Sequence, residues 1–287
     1  MSANGAADEP TVEQGYERLK TRVGTQLETL LGLEVAQTSE VAADNQYLHP
    51  IYRTFQQAVI ECLLTALDHL RFLAWSLQNR NEPFPYAQFT VIRTAITAAS
   101  TALWMLSGSN ADERRIRALE FYLKDFKSNA SWIDTVKKQP QLQNLSPADQ
   151  IRADAERAVL DTRQDLLVQM ANSLLNPQPP FTRQTLERTS DTKMVTIAGS
   201  ETAALGSGGF DPGVTLLNTW QTMSGYARAR PWAALPGKHP EGEIDPVTGM
   251  QKITQKGDPH ALLDAAFRGL LVVEQAVGRL VGLSAAP

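Results

Sequence analysis

Apolar residues recur at three-and-four spacing along most of the chain, which is the mark of amphipathic helices packed through one face. Val12, Tyr16, Leu19, Val23, Leu27, Leu30 and Leu31 predict a first helix reaching about Ala36, and Thr11 with Gln14 three residues on forms its capping box. A polar segment, 37–46, connects it to a second helix predicted from Pro50 to about Leu77, the most apolar of the chain. A third helix carries Phe89, Ile92, Ile96, Ala99, Leu103 and Leu106 and stops at Gly108. Asn110 and Glu113 cap a fourth that holds Ile116, Leu119, Tyr122, Leu123 and Phe126, with a break expected near Ser128. Ser146-Pro147 opens a long fifth helix to about Leu175.

Beyond it the pattern fades. Residues 176–209 open with PQPPF after Asn176, contain GSGG at their end and read as an irregular surface excursion with at most one short helix near Thr182–Arg188. Asp211-Pro212 starts another helix, a DPVTG turn within 242–256 gives a hairpin signal, and Asp258-Pro259 caps a final apolar helix. The expected architecture is all-α: a multi-helix bundle with one small β-hairpin near the C-terminus. In this reading 1–10 form a disordered N-terminus and 11–287 a single helical domain.

Composition narrows the function classes. The chain has 287 residues, 43% of them hydrophobic, and a formal charge of −4, so no global field draws it to nucleic acid or an anionic membrane. The N-terminus lacks a basic start followed by an apolar run, and no stretch approaches about 20 uninterrupted apolar residues, so a cytoplasmic protein with no membrane partner is expected. The single cysteine, Cys62, lies in an apolar helical pattern and excludes an internal disulfide. One cysteine and four dispersed histidines do not make a zinc site, no Glu-x-x-His pair for a di-metal bundle is present, and GSGGF lacks the Lys-Ser/Thr of a phosphate loop. No metal or cofactor is expected.

Two groups of residues stand out. In Trp220–Leu235, WQTMSGYARARPWAAL, Arg228 and Arg230 follow the end of a helix beside Tyr226 and Trp232. Arginine offers a fork of five donors and stacks on aromatic rings, which suits a phosphate, a carboxylate or an acidic partner; the bland alternative is a solvated helix end. Glu61, Asp68, His69 and Arg93 lie within the most apolar helices. A charge buried in a bundle needs a partner, so a buried polar cluster pairing Arg93 with Glu61 or Asp68 is expected, either as a structural contact or as a substrate site in a cleft.

Three stretches also resemble a known group. LHPIYRTFQQAVIECLLTALDHLRFLAWSL (48–77), FTVIRTAITAASTALWMLSGSNADERRIRALEFYLKDF (89–126) and NTWQTMSGYARARPWAAL (218–235) are similar in order and character to actinobacterial helical proteins related to the HEPN superfamily. That superfamily consists of all-α bundles and includes ribonuclease toxins and abortive-infection proteins, so the resemblance implies an all-α fold and a homodimer. Its ribonuclease members carry an Arg, four to six residues and a His at a helix end. Here Arg228 stands where that histidine is expected, Thr222, Met223 and Ser224 precede it, and none of the four histidines has an arginine at the required upstream distance. The function expected is therefore that of a degenerate, non-catalytic HEPN-like binding protein with a protein or RNA partner, in a phage-defence or toxin-related setting. A ribonuclease built on Asp68, His69 and an arginine, and a purely structural oligomer, are the alternatives.

Overall fold

The computed structural model describes residues 11–78, 84–139, 146–206, 209, 211–234, 238–255 and 257–287. The N-terminus 1–10, residues 79–83 of the expected loop and 207, 208 and 210 of the GSGGF tract lie outside them. Helices dominate: α1 Val12–Leu31, α2 Glu40–Leu48, α3 Phe55–Gln78, α4 Pro85–Leu106, α5 Ala111–Lys137, α6 Pro147–Leu175, α7 Arg183–Leu186, α8 Asp191–Ser200, α9 Pro212–Ala227, α10 Pro231–Ala234 and α11 Pro259–Ser284. The fold is an all-α bundle architecture. Two short strands, β1 Lys238–Glu241 and β2 Lys252–Gln255, pair antiparallel with Glu241 opposite Lys252. The span 242–256 thus contains the second strand, while the first precedes it.

Contacts cluster into two compact units. The first comprises residues up to Leu33, Glu61–Leu103 and Asp191–Val281. Its chain termini of secondary structure meet: the Tyr16 hydroxyl donates to the Pro259 carbonyl at 3.1 Å, and Arg22 clasps Glu274 with two hydrogen bonds of 2.8 and 2.5 Å. Burial pushes the Tyr16 phenol up to about 12, with Asp258 adding to the shift, so this hydroxyl stays protonated as a donor. Tyr86–Leu106 within α4 is long and apolar enough to cross a membrane by length and composition, and 61% of that window is buried inside the protein.

Several helix ends follow the capping signals. Thr11 and Gln14 form the reciprocal box at α1, Ser146 caps α6 and Asp211 caps α9. Other expectations require correction. The segment 37–46 is not merely a polar connector, because α2 begins at Glu40 with Ser39 as its cap and buries Val41, Asp44 and Leu48. Pro50 does not start the next helix: it lies in a 3-10 turn, His49–Ile51, and Tyr52 with φ +54° ends that turn in the left-handed region before α3 begins at Phe55. No break occurs at Ser128, and α5 runs on to Lys137.

The excursion 176–209 is also more ordered than its composition implies. Asn172 exchanges two hydrogen bonds with the Phe181 backbone at 2.7 and 3.1 Å, holding the chain after α6. Buried Glu120 on α5 accepts from the Arg188 and Thr189 amides at 3.0 and 2.5 Å and from the Thr189 hydroxyl at 3.0 Å. The helix α8 then packs directly on α9. Side chains added at Gly199 would meet Pro212 O at 2.7 Å, so the absence of a Cβ sets how closely these two helices approach.

The second unit comprises Glu34–Ile60, Trp104–Ser190 and the last residues from Gly282. Asn110 caps α5 by accepting from the Glu113 amide at 2.9 Å, while the Glu113 carboxylate reaches Ser109 rather than the cap, accepting from its amide and hydroxyl at 2.8 and 2.7 Å. Those Ser109 bonds, aided by Arg117, hold the Glu113 carboxyl below its ordinary value. A depressed folded-state pKa contributes stability that is full above the unfolded value and lost as pH falls through the folded one. Thermal denaturation in steps from about pH 5 to about pH 3 is therefore expected to show a falling transition temperature, with a shallower fall in Glu113→Gln. An unchanged slope in that variant would remove Glu113 from the account.

Candidate anion-binding corner

The face between α4 and α9 is built from aromatic rings and one guanidinium. Tyr86, Phe89 and Arg93 follow one another at three-and-four spacing on α4, so they share a face. Tyr226 on α9 packs against that face, 4.4 Å from the Phe89 ring and 5.5 Å, edge-on, from Tyr86. It is buried, and burial with Tyr86 nearby raises its phenol pKa. One turn along α9, Arg93 Nε donates to Ser224 Oγ at 2.8 Å while its guanidinium lies 5.3 Å from the Trp220 ring centre. The Trp220 indole N–H donates to Thr97 Oγ1 at 2.8 Å. On its other side α9 is held by Arg268, which donates to Thr219 Oγ1 at 2.7 Å.

The helix ends on this base. Ala229 has φ +51°, its amide bonds to the Tyr226 carbonyl, and the Arg230 amide bonds to Gly225 O at 2.8 Å, a Schellman closure made without glycine. A non-glycine residue in this region is strained by about 1 kcal/mol, which the closure holds in place. The chain then turns into α10 and lies over Gly225, where an added Cβ would come within 2.4 Å of Ala233 and 3.0 Å of the Trp232 ring. Gly225 therefore lets Trp232 sit against the helix while 54% of it stays exposed.

Arg228 and Arg230 are exposed, and neither has an ion-pair partner among the described residues. Arg93 has no carboxylate partner among them either: its contacts are a neutral hydroxyl and an aromatic face. Ser224, which holds Arg93, lies one turn before Arg228 on the same side of α9. The corner thus has a buried base, including Tyr226, and an exposed rim of Arg228, Arg230 and Trp232. Of the four corner residues expected to bind, Tyr226 is the buried one.

The expected buried cluster of Glu61, Asp68, His69 and Arg93 is not assembled. Glu61 and Asp68 are exposed, and His69 is half-exposed with Nδ1 2.7 Å from the Thr65 carbonyl one turn back. Arg93 faces α9 instead of pairing with either acid. Periodicity identifies the helices but does not say which neighbour a polar side chain meets. Asp68 and His69 line an open hollow of about 510 Å³ with Lys20, Arg71, Phe72 and Trp75.

The buried ionic cluster of this protein lies elsewhere. Asp44 on α2 has no solvent exposure and accepts from Arg114 Nε and Arg115 Nε, each at 2.8 Å; Arg114 also donates to Glu40 at 2.7 Å. Its signal was the pairing of Asp44 with Val41 and Leu48 at helical spacing. Among the described residues no group of three His, Cys, Asp or Glu side chains could hold a metal ion. Burial pushes the Cys62 thiol up to about 12, with Glu61 adding to it, so Cys62 is a protonated core residue and a poor nucleophile.

Comparison with protein-family models, with curated proteins and with solved structures gave no match.

Proposed function

We propose that this chain is a non-catalytic, HEPN-like helical binding protein whose corner at the end of α9 takes an anionic partner, with single-stranded RNA as the ligand class its chemistry fits best. One observation carries the reading: Arg228 and Arg230 stand exposed at the end of α9 without an ion-pair partner among the described residues, Arg93 of α4 meets only the Ser224 hydroxyl and the Trp220 ring of the same helix, and a half-exposed Trp232 packs over Gly225. Guanidinium groups neutralise phosphates, and an exposed indole stacks on any base, so together they favour a flexible strand over a duplex. A phage-defence or toxin-related role and pairing with a second copy belong to the same proposal.

The test is fluorescence anisotropy with a labelled single-stranded RNA across a salt series. Arg228→Ala with Arg230→Ala is expected to weaken binding about tenfold or more and to reduce the salt slope by about 1.4, while leaving the thermal transition within about a degree. The RNA is expected to remain intact throughout. Equal binding by the double variant would end the RNA reading, and a collapse of the transition would make the corner structural. Cleavage of the RNA would transfer the weight to an enzyme, and a nuclease-insensitive protein bound through the same arginines would replace RNA by an acidic protein partner.

A further inference from the structure

Outside the corner, the outward face of α3 carries a stripe whose residues match their own reversal. Leu64, Asp68, Arg71 and Trp75 are all exposed, and their spacing of four, three and four is that of a coiled-coil seam. Asp68 and Arg71 make no ion pair or hydrogen bond among the described residues. Phe72 flanks the seam, 51% exposed, with its ring centre 6.0 Å from that of Trp75, which is itself 60% exposed. Hollows of about 510 and 190 Å³ adjoin the stripe and share Asp68 and Arg71 as lining residues.

We infer that this stripe is the contact by which two copies of the chain pair, with α3 antiparallel to α3 of the second copy. A twofold axis passing between His69 and Leu70 sets Asp68 opposite Arg71 and Leu64 opposite Trp75 of the second copy, and every contact occurs twice. The charges then neutralise in both directions. The aromatic rings of each copy have the hollow of the other to enter, as knobs enter holes at the 8–10 Å separation of packed helices. A foreign helix needs only a complement of this stripe, whereas a second copy needs the stripe to complement itself under reversal, which the order Leu, Asp, Arg, Trp does. A lipid surface is disfavoured by two uncompensated charges at the centre of the stripe. The inference deepens the pairing part of the proposed function, and none of its residues belongs to the arginine corner, so dimerisation and RNA binding can fail separately.

Light scattering of the full chain during size-exclusion chromatography tests it. The unaltered chain is expected at twice its 31.5 kDa mass. Asp68→Arg makes the seam wholly positive and Arg71→Asp wholly negative, so each alone is expected to run as a monomer, with dissociation at least tenfold easier. An equimolar mixture of the two variants restores opposite charges at both contacts and is expected to return to the dimer mass. Far-UV circular dichroism spectra of the single variants should overlay that of the unaltered chain, showing that each still folds, while their melts are expected to lose the concentration dependence of a dimer. A monomeric unaltered chain, a dimer indifferent to both substitutions, or a mixture that stays monomeric would each overturn the inference.

Discussion

Asp44→Ala is expected to destabilise the unit containing α2 and α5 by about 3–5 kcal/mol, measured as a shift in urea denaturation. The carboxylate has no solvent exposure and receives one hydrogen bond from Arg114 and one from Arg115. Arg114 is itself only 4% exposed, so alanine at position 44 would leave a buried guanidinium with Glu40 as its remaining acidic partner. Glu40 is largely in solvent and screened, so it compensates poorly. Arg115 would lose less, because it also lies 5.0 Å from the Tyr47 ring centre and near Asp112. Asp44→Asn keeps the shape and one acceptor and is expected to fall between the two. Replacing Asp44 and Arg114 together by Leu and Met removes the unmatched charge and should recover part of the loss. A loss below about 1 kcal/mol in Asp44→Ala would show that water or Glu40 compensates for the missing carboxylate.

Gly199→Ala is expected to destabilise the protein by about 1–3 kcal/mol, although alanine is the better helix former by about 1 kcal/mol. The new methyl would lie 2.7 Å from Pro212 O, 2.8 Å from Gly213 Cα and 3.0 Å from Leu216 Cβ, and two of those atoms are backbone that no rotamer change can move. Overpacking therefore outweighs propensity, and α8 must shift against α9. Gly24 in α1 is the control, because an added Cβ there meets nothing within 4 Å. Gly24→Ala is expected to stabilise by about 0.5–1 kcal/mol. Opposite signs in paired thermal melts would support close approach as the cause; the same sign in both would overturn it.

These two positions also explain what could be read from the chain and what could not. Helices with a capping residue and a proline beside it, such as Ser146-Pro147 and Asp211-Pro212, were legible because local chemistry alone sets their starts. The helix α2 was not, since one of its three buried positions is Asp44, an acid that becomes a core residue only when two arginines from α5 reach it. Likewise α8 contacts its neighbour partly through Gly199, which counts against a helix in any pattern of apolar residues. At the corner, Arg228, Arg230 and Trp232 were identifiable from composition. That Arg93 would stack on Trp220 rather than meet an acid depends on which face of α4 meets α9, and both faces of α4 are rich in small and apolar residues.

The clasp between the first and last helices has a consequence for how the protein is made. Tyr16 and Pro259 are separated by 243 residues, and Arg22 and Glu274 by 252. On a ribosome, α1 emerges long before α11 and must wait for the whole stretch between them before these partners exist. During that interval Gly15 and Tyr16, buried in the finished fold beside Leu263 and Pro259, have no α11 to accompany them. Contacts of such long sequence separation close late because the chain between them must first lose its freedom. Completion of this unit therefore waits until α11 has been made, and until then the nascent chain depends on its other helices, or on a chaperone, to keep α1 from seeking apolar surfaces elsewhere.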